Sequence, residues 1–240
     1  MSSPRSQISR HAIDSRFLRE TRKFWLYIPE DFDLDQPYPV LYAHDGEDYL
    51  TMGRIRTIAN ERYRDGTLKP IVIVGIPVDK KLRNAEYHPE GHRHRAYLSF
   101  VVEELIPYVE NSVLQLRTKE RATIGSSLGG VVGCQLAWNY PEKFQIVISQ
   151  SGAFYSPSTT AALHNARHLD KTRYYFMVGT NERHVSTSMG TMDFLQANRK
   201  LRNLLEEKGT PFHYEEQEGG HTWGLWQKNL PDALAYFWSR

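Results

Sequence analysis

The chain holds one cysteine, Cys134, in 240 residues. That count excludes an internal disulfide, and a lone thiol amid apolar neighbours reads as a small buried side chain rather than a reactive one. Long hydrophobic runs are lacking too. None approaches the ~18 residues of a membrane span, and Met1 to Arg22 is polar with scattered arginines and no apolar signal core. A soluble, cytoplasmic protein is expected. Nor is there an excess of one charge, since 30 Lys and Arg face 28 Asp and Glu for a formal +2. So small a balance gives no broad electropositive face, and neither nucleic acid nor membrane is expected as a partner. Repeats, low-complexity tracts and linkers are absent, and the length suits one α/β domain over 1–240.

What is present is a regular alternation of short apolar runs and amphipathic stretches. Residues 6 to 28 read as two strands joined by a turn, because Phe24, Leu26 and Ile28 alternate with Trp25 and Tyr27 before Pro29. The runs Val40 to Ala43, Ile71 to Ile76, Arg121 to Ile124, Phe144 to Ser149 and Tyr174 to Val178 have the length and content of strands buried on both faces. Between them Leu98, Val101, Val102, Leu105 and Val109 form one helical stripe that Pro107 must kink or interrupt. Phe194, Ala197, Leu201, Leu204 and Leu205 form another, ended by Lys208 and Gly209. A further strand is expected over Phe212 to Glu215, then a final helix. This order predicts an α/β fold with a mainly parallel central sheet, helices on both faces and antiparallel N-terminal strands, with ligands at the carboxyl ends of the strands.

Gly125-Ser126-Ser127-Leu128-Gly129 stands where one of those strands gives way to a helix. In that setting G-x-S-x-G marks a nucleophile elbow, a tight turn that exposes a serine hydroxyl and aims the next backbone N–H at an oxyanion. A serine needs a base and a group to orient it. His221, after Gly219-Gly220 in the loop following the last strand, is the candidate base. The acid should fall between serine and histidine, the chain order of α/β-hydrolases. Glu182, just beyond the strand ending Met177-Val178-Gly179, fits; Asp193, read as inside a helix, and Asp170, ahead of its strand, would point away. A Ser-His dyad without a true acid stays open. Leu128 supplies one oxyanion N–H, and Gly46 or Glu47, in the loop after Val40 to Ala43, the second. Because an imidazole must be neutral to accept a proton, the rate should fall as pH drops through ~6–7.

The segments Leu41 to Glu47, Arg83 to Tyr87, Arg95 to Phe100, Gly125 to Gly130, Ser149 to Phe154, Gly179 to Glu182, and Gly219-Gly220-His221 with Trp226 together give the chain a family look from about Phe24 to Trp238. It resembles the enterochelin-esterase branch of the esterase-D-like α/β-hydrolases. The resemblance implies a cofactor-free serine esterase acting on ester or lactone bonds of a small molecule, with siderophore trilactones as namesake substrates and feruloyl, acetyl or short-acyl esters as alternatives. It supports Glu182 as the acid and implies that Arg83 and Glu86 sit near the pocket mouth to orient substrate. Many siderophore-processing members carry an additional N-terminal domain, so a small stand-alone type is expected, and the family's aspartate after the histidine is Thr222 here.

Rival readings attach to particular residues. His88, Glu90, His92 and His94 share one loop and raise a metal alternative, but their position after a strand reads as pocket lining or rim, and no metal is expected. A non-catalytic binding module on the same scaffold and an acyltransferase are the other classes. Trp223 is a candidate to stack on an aryl acyl group, whereas Trp226 reads as packing.

Overall fold

The computed structural model describes residues 6–240. In chain order it comprises β1 (Gln7–Ser15), β2 (Glu20–Ile28), β3 (Tyr38–His44), α1 (Gly46–Thr51), α2 (Ile55–Arg64), β4 (Val72–Ile76), α3 (Arg83–Tyr87), α4 (His94–Ser99), β5 (Thr118–Ser126), α5 (Leu128–Asn139), β6 (Ile146–Gln150), α6 (Pro157–Asn165), β7 (Arg173–Gly179), a hairpin of β8 (Val185–Thr187) and β9 (Gly190–Met192), α7 (Phe194–Glu207), β10 (Phe212–Gln217) and α8 (Trp223–Trp238). Eight strands make one sheet in the order β1-β2-β4-β3-β5-β6-β7-β10. The pairs β1/β2 and β2/β4 are antiparallel and every later pair is parallel.

The layering follows from side-chain alternation. β3, β4 and β6 are buried at every position, as strands covered on both faces must be. One face carries the core of Tyr42, Val74, Phe176, Val131 and Leu201 beneath α5 and α7. The other carries Leu41, Ile73, Ile124, Tyr175 and Leu230 beneath α1, α2 and α8. Parallel order from β3 to β10 collects the carboxyl ends of β3, β5, β6, β7 and β10 along one edge, and the loops leaving that edge hold the candidate residues.

Two expectations change in detail. The stripe from Leu98 to Val109 is not one α-helix: after α4 the backbone widens into π-helical turns over Phe100–Leu105 and Tyr108–Val113, on either side of Pro107. Proline lacks the N–H that would continue the ladder, and the wider turns keep Val101, Leu105 and Val109 on the buried face. Asp193 is the N-cap of α7 rather than a residue within it, its carboxylate accepting the Gln196 N–H at 2.7 Å.

Candidate active site

At the end of β5 the chain turns sharply, and Ser127 sits in that turn with φ 56° and ψ −124°, a conformation held by its neighbours. Its N–H donates to the Gln150 carbonyl at 3.0 Å and its carbonyl accepts from Ala153 at 3.1 Å. The flanking glycines are a matter of space. A Cβ on Gly125 would lie 2.1 Å from the Gly129 backbone, so only glycine lets the strand and the first turn of α5 meet. Ser127 is partly exposed at this corner. Leu128 opens α5, where first-turn N–H groups lack intrahelical acceptors.

The loop after β3 lies beside this corner. Asp45 adopts a left-handed conformation, φ 54°, as the N-cap of α1, which begins with Gly46 and Glu47. A Cβ on Gly46 would come within 2.3 Å of the Gly75 backbone, so the loop seats directly on β4. Arg83 braces the arrangement, with Nε and Nη2 donating to the two Asp45 oxygens at 2.8 Å each and Nη2 also reaching the Ser126 carbonyl at 3.3 Å. Burial alone would lower the Arg83 pKa, but the Asp45 carboxylate outweighs it and raises it. Arg83 is therefore a tie between the Asp45 loop and the elbow, with its side chain 21% exposed.

Glu182 and His221 meet across two loops that the backbone staples together. Thr180 N–H donates to Gln217 O and Asn181 N–H to Gly219 O, each at 2.9 Å, which sets the turn after β7 against the loop after β10. His221 Nδ1 then lies 2.7 Å from Glu182 Oε2. The imidazole is wedged between Phe194, with ring centroids 4.2 Å apart, and Trp226, edge-on at 5.0 Å. Glu182 is fully buried, and its other oxygen accepts from Ser151 Oγ at 2.6 Å and Gly179 N–H at 2.8 Å. Ser151 Oγ in turn accepts from Trp226 Nε1 at 2.8 Å. The segment Gln150 to Ala153 thus holds the Ser127 backbone on one side and the Glu182 carboxylate on the other. Glu182 and His221 are in direct contact, whereas no hydrogen bond joins Ser127 to the His221 ring.

A buried polar network lies beneath. Gln150 accepts from Tyr49 Oη at 2.9 Å and donates to the Trp226 carbonyl at 2.9 Å and to Asn229 at 2.8 Å, tying α1 and α8 to β6. The supporting roles of Ser151 and Gln150 have no sequence signal in spacing, because their partners lie far along the chain.

Glu86 departs from the expectation. Its carboxylate is fully buried, accepts both terminal nitrogens of Arg22 at 2.8 and 2.9 Å, and accepts Arg93 Nε at 3.1 Å. With every oxygen engaged below the surface, it has no reach to a substrate. Trp223 is partly exposed, edge-on to Tyr49 and to Trp226 with centroids 5.0 Å apart in both cases. In the histidine-rich loop, His94 Nδ1 bonds the Glu86 carbonyl at 2.9 Å and burial lowers its pKa, while His88 Nδ1 accepts from Glu90 N–H at 3.2 Å. Among the described residues these side chains do not converge into a metal-binding group. Cys134 is buried, which pushes its thiol well above the usual range.

Comparison with known proteins adds the following. A family model described as putative esterase matches residues 15–237. The uncharacterized protein YjcH of Bacillus subtilis (strain 168) is 32% identical over 223 residues, covering 92% of each chain. The iron(III) enterobactin esterase of Escherichia coli (strain K12) is 22% identical, covering 93% of this chain but only 55% of that longer protein. Among solved structures, a ferulic acid esterase superposes with a TM-score of 0.81 at 19% identity over 97% of both chains. The enterobactin esterase of Shigella flexneri superposes with a TM-score of 0.79 at 21% identity, covering 97% of this chain and 59% of that one. Likeness at these identities establishes a shared fold, that of α/β-hydrolase esterases.

Proposed function

The chain belongs to the putative esterase family and is a carboxylic ester hydrolase, and from that premise we propose that it works through an acyl-enzyme on Ser127. In this reading Ser127 Oγ attacks the ester carbonyl carbon while His221 Nε2 takes its proton. Glu182 Oε2 holds the Nδ1–H and stabilises the imidazolium that forms. The tetrahedral oxyanion rests on the Leu128 N–H and on that of Gly46 or Glu47; losing one such donor typically costs ~3 kcal/mol. His221 then returns the proton to the leaving alcohol, and water repeats the sequence on the acyl-enzyme, restoring free serine and releasing the acid.

The observation that carries this reading is the 2.7 Å contact between His221 Nδ1 and a fully buried Glu182, at the same sheet edge as a strained serine. Three donors converge on this buried carboxylate, and His221 Nδ1 is one of them, the contact that an imidazole becoming charged requires. Arg83 enters as the brace of the Asp45 loop, and Trp223 as a partly exposed aromatic wall for an aryl group.

For substrate, the reading is an ester or lactone of an aryl or short acyl acid. It is supported by relatives named for iron(III) enterobactin, for ferulic acid and, in Caldicellulosiruptor saccharolyticus, as an acetyl esterase. Residues 1–240 are read as one domain, supported by a single eight-stranded sheet with a core on each face. A cytoplasmic setting, with neither nucleic acid nor membrane as partner, completes the proposal; no helix among the described residues is long and apolar enough to cross a membrane. The test is a hydrolysis panel of siderophore trilactones, feruloyl esters and short acyl esters read by mass spectrometry. Turnover of at least one class that vanishes in Ser127→Ala is expected; turnover that persists in that variant contradicts the mechanism.

A further inference from the structure

The short helix α3 acts on the loop after β3 through more than the brace made by Arg83. Arg83 and Tyr87 stand four residues apart and share one face of α3, with the Arg83 guanidinium carbon 5.3 Å from the centre of the Tyr87 ring. Both meet Asp45. Tyr87 Oη accepts the Asp45 N–H at 3.0 Å, while Arg83 takes both carboxylate oxygens at 2.8 Å. The remaining polar group of that residue, its carbonyl, accepts the Tyr49 N–H of α1 at 3.0 Å. Every polar group of Asp45 is thus held, although its φ of 54° is one that residues other than glycine seldom adopt. Tyr87 is itself fixed, since it is fully buried and packs against His44 and Tyr97 with ring centroids 5.7 and 5.2 Å apart.

Peptide planarity carries that restraint forward. The Asp45 carbonyl and the Gly46 N–H lie in one plane and point in opposite directions, so a carbonyl committed to α1 turns the Gly46 N–H out of the start of that helix. The same clamp reaches the other donor. Arg83 Nη2 donates to the Ser126 carbonyl at 3.3 Å, and a Cβ on Gly129 would lie 3.1 Å from Asp45 Oδ2, so the carboxylate sits against the first turn of α5, where the Leu128 N–H lies. We infer that Tyr87 and Arg83 are positioning residues for the oxyanion hole, setting the spacing between the Leu128 N–H and that of Gly46 or Glu47 through their joint hold on Asp45. They act through Asp45 rather than on the substrate. This role rests on ester hydrolysis at Ser127, where a misplacement of about 1 Å costs as much as ~10²-fold in rate.

Two assays on the whole protein separate this role from plain support of the fold: kcat and KM for nitrophenyl acetate, and Ki for an aryl trifluoromethyl ketone. Ser127 Oγ adds to the ketone carbon, its proton passes to His221, and the former carbonyl oxygen becomes the anion that the backbone donors must hold. Tyr87→Phe, which deletes only the acceptor of the Asp45 N–H, should lower kcat about tenfold, leave KM within about twofold and raise Ki about tenfold. Arg83→Lys keeps the charge but not the two-pronged contact and should do the same. Arg83→Met leaves the Asp45 carboxylate unpaired and should cost about 100-fold in both kcat and Ki. Thermal unfolding shows which variants are folded, and Tyr87→Phe, lacking a single oxygen atom, decides the matter if those at Arg83 are not. Folded variants with kcat and Ki within about twofold of wild type, or with the loss confined to KM, would overturn the positioning role. A wild-type protein that hydrolyses no ester would instead overturn the esterase reading, and this role with it.

Discussion

Replacing Ser151 with alanine deletes one of three donors to a carboxylate that has no access to water. Glu182 accepts from Ser151 at 2.6 Å, Gly179 at 2.8 Å and His221 at 2.7 Å. A hydrogen bond to a charged group contributes ~1.5–3 kcal/mol, and the Trp226 N–H is orphaned at the same time. Glu182 matters most when the imidazole is charged, so the loss falls on the transition state and corresponds to a drop in kcat of about 10- to 100-fold. Ser151 Oγ is buried against Glu182 and Trp226, away from any substrate, so KM should change little. Trp226→Phe keeps the ring against His221 but removes the donor to Ser151, and a several-fold fall in kcat should follow. The assay is steady-state hydrolysis of a nitrophenyl ester, with thermal unfolding to confirm an intact fold. A Ser151→Ala protein that is folded and within twofold of wild-type kcat, or one altered only in KM, would refute the claim that Ser151 positions the acid.

Other expectations concern separate parts of the molecule. Glu182→Gln should cut turnover by roughly 10²–10⁴-fold, and little loss would favour a Ser-His dyad. Ser127→Ala should abolish hydrolysis while Ser126→Ala retains much of it; the reverse outcome would shift the elbow by one residue. Glu86→Gln leaves the buried Arg22 without its full counter-charge and should lower stability by ~3–5 kcal/mol in denaturant titrations, yet folded molecules should keep near-wild-type KM. A raised KM would instead return Glu86 to the substrate site. His44, fully buried between Tyr97 and Thr123, is held neutral, its pKa lowered to about 3 by burial and then by Arg83. The unfolded imidazole takes a proton below ~6.5 and the folded one does not, so this contribution is complete above pH 6.5 and shrinks as pH falls toward 3. That amounts to about 2 kcal/mol between pH 7 and 5, a slope that His44→Gln should lack when unfolding is measured across this range.

How much of this was legible in the sequence depended on whether the cause was local. The strands were, because runs such as Val40 to Ala43 and Tyr174 to Val178 state their own double burial, and β3 and β7 extend them only at the ends. The contact of Glu182 with His221 follows from chain order and from parallel strands that deliver both to one edge. The π-helical turns beside Pro107 were not legible, since the choice between interruption and widening is made by the buried stripe packing on the sheet. The Glu86 expectation came from the family resemblance alone, and its burial has no local signal, because its partner, Arg22, comes from β2. Ser151 was missed for the same reason, its role residing in a carboxylate on the next strand's loop and an indole in α8.

The central claim, a serine made nucleophilic at the elbow, is tested most directly by treating the protein with a fluorophosphonate and mapping the adduct by peptide mass spectrometry. A single modification on Ser127, lost in Ser127→Ala and strongly slowed in His221→Ala, is the predicted result. Labelling on another residue, or undiminished esterase activity once Ser127 is fully modified, would contradict it.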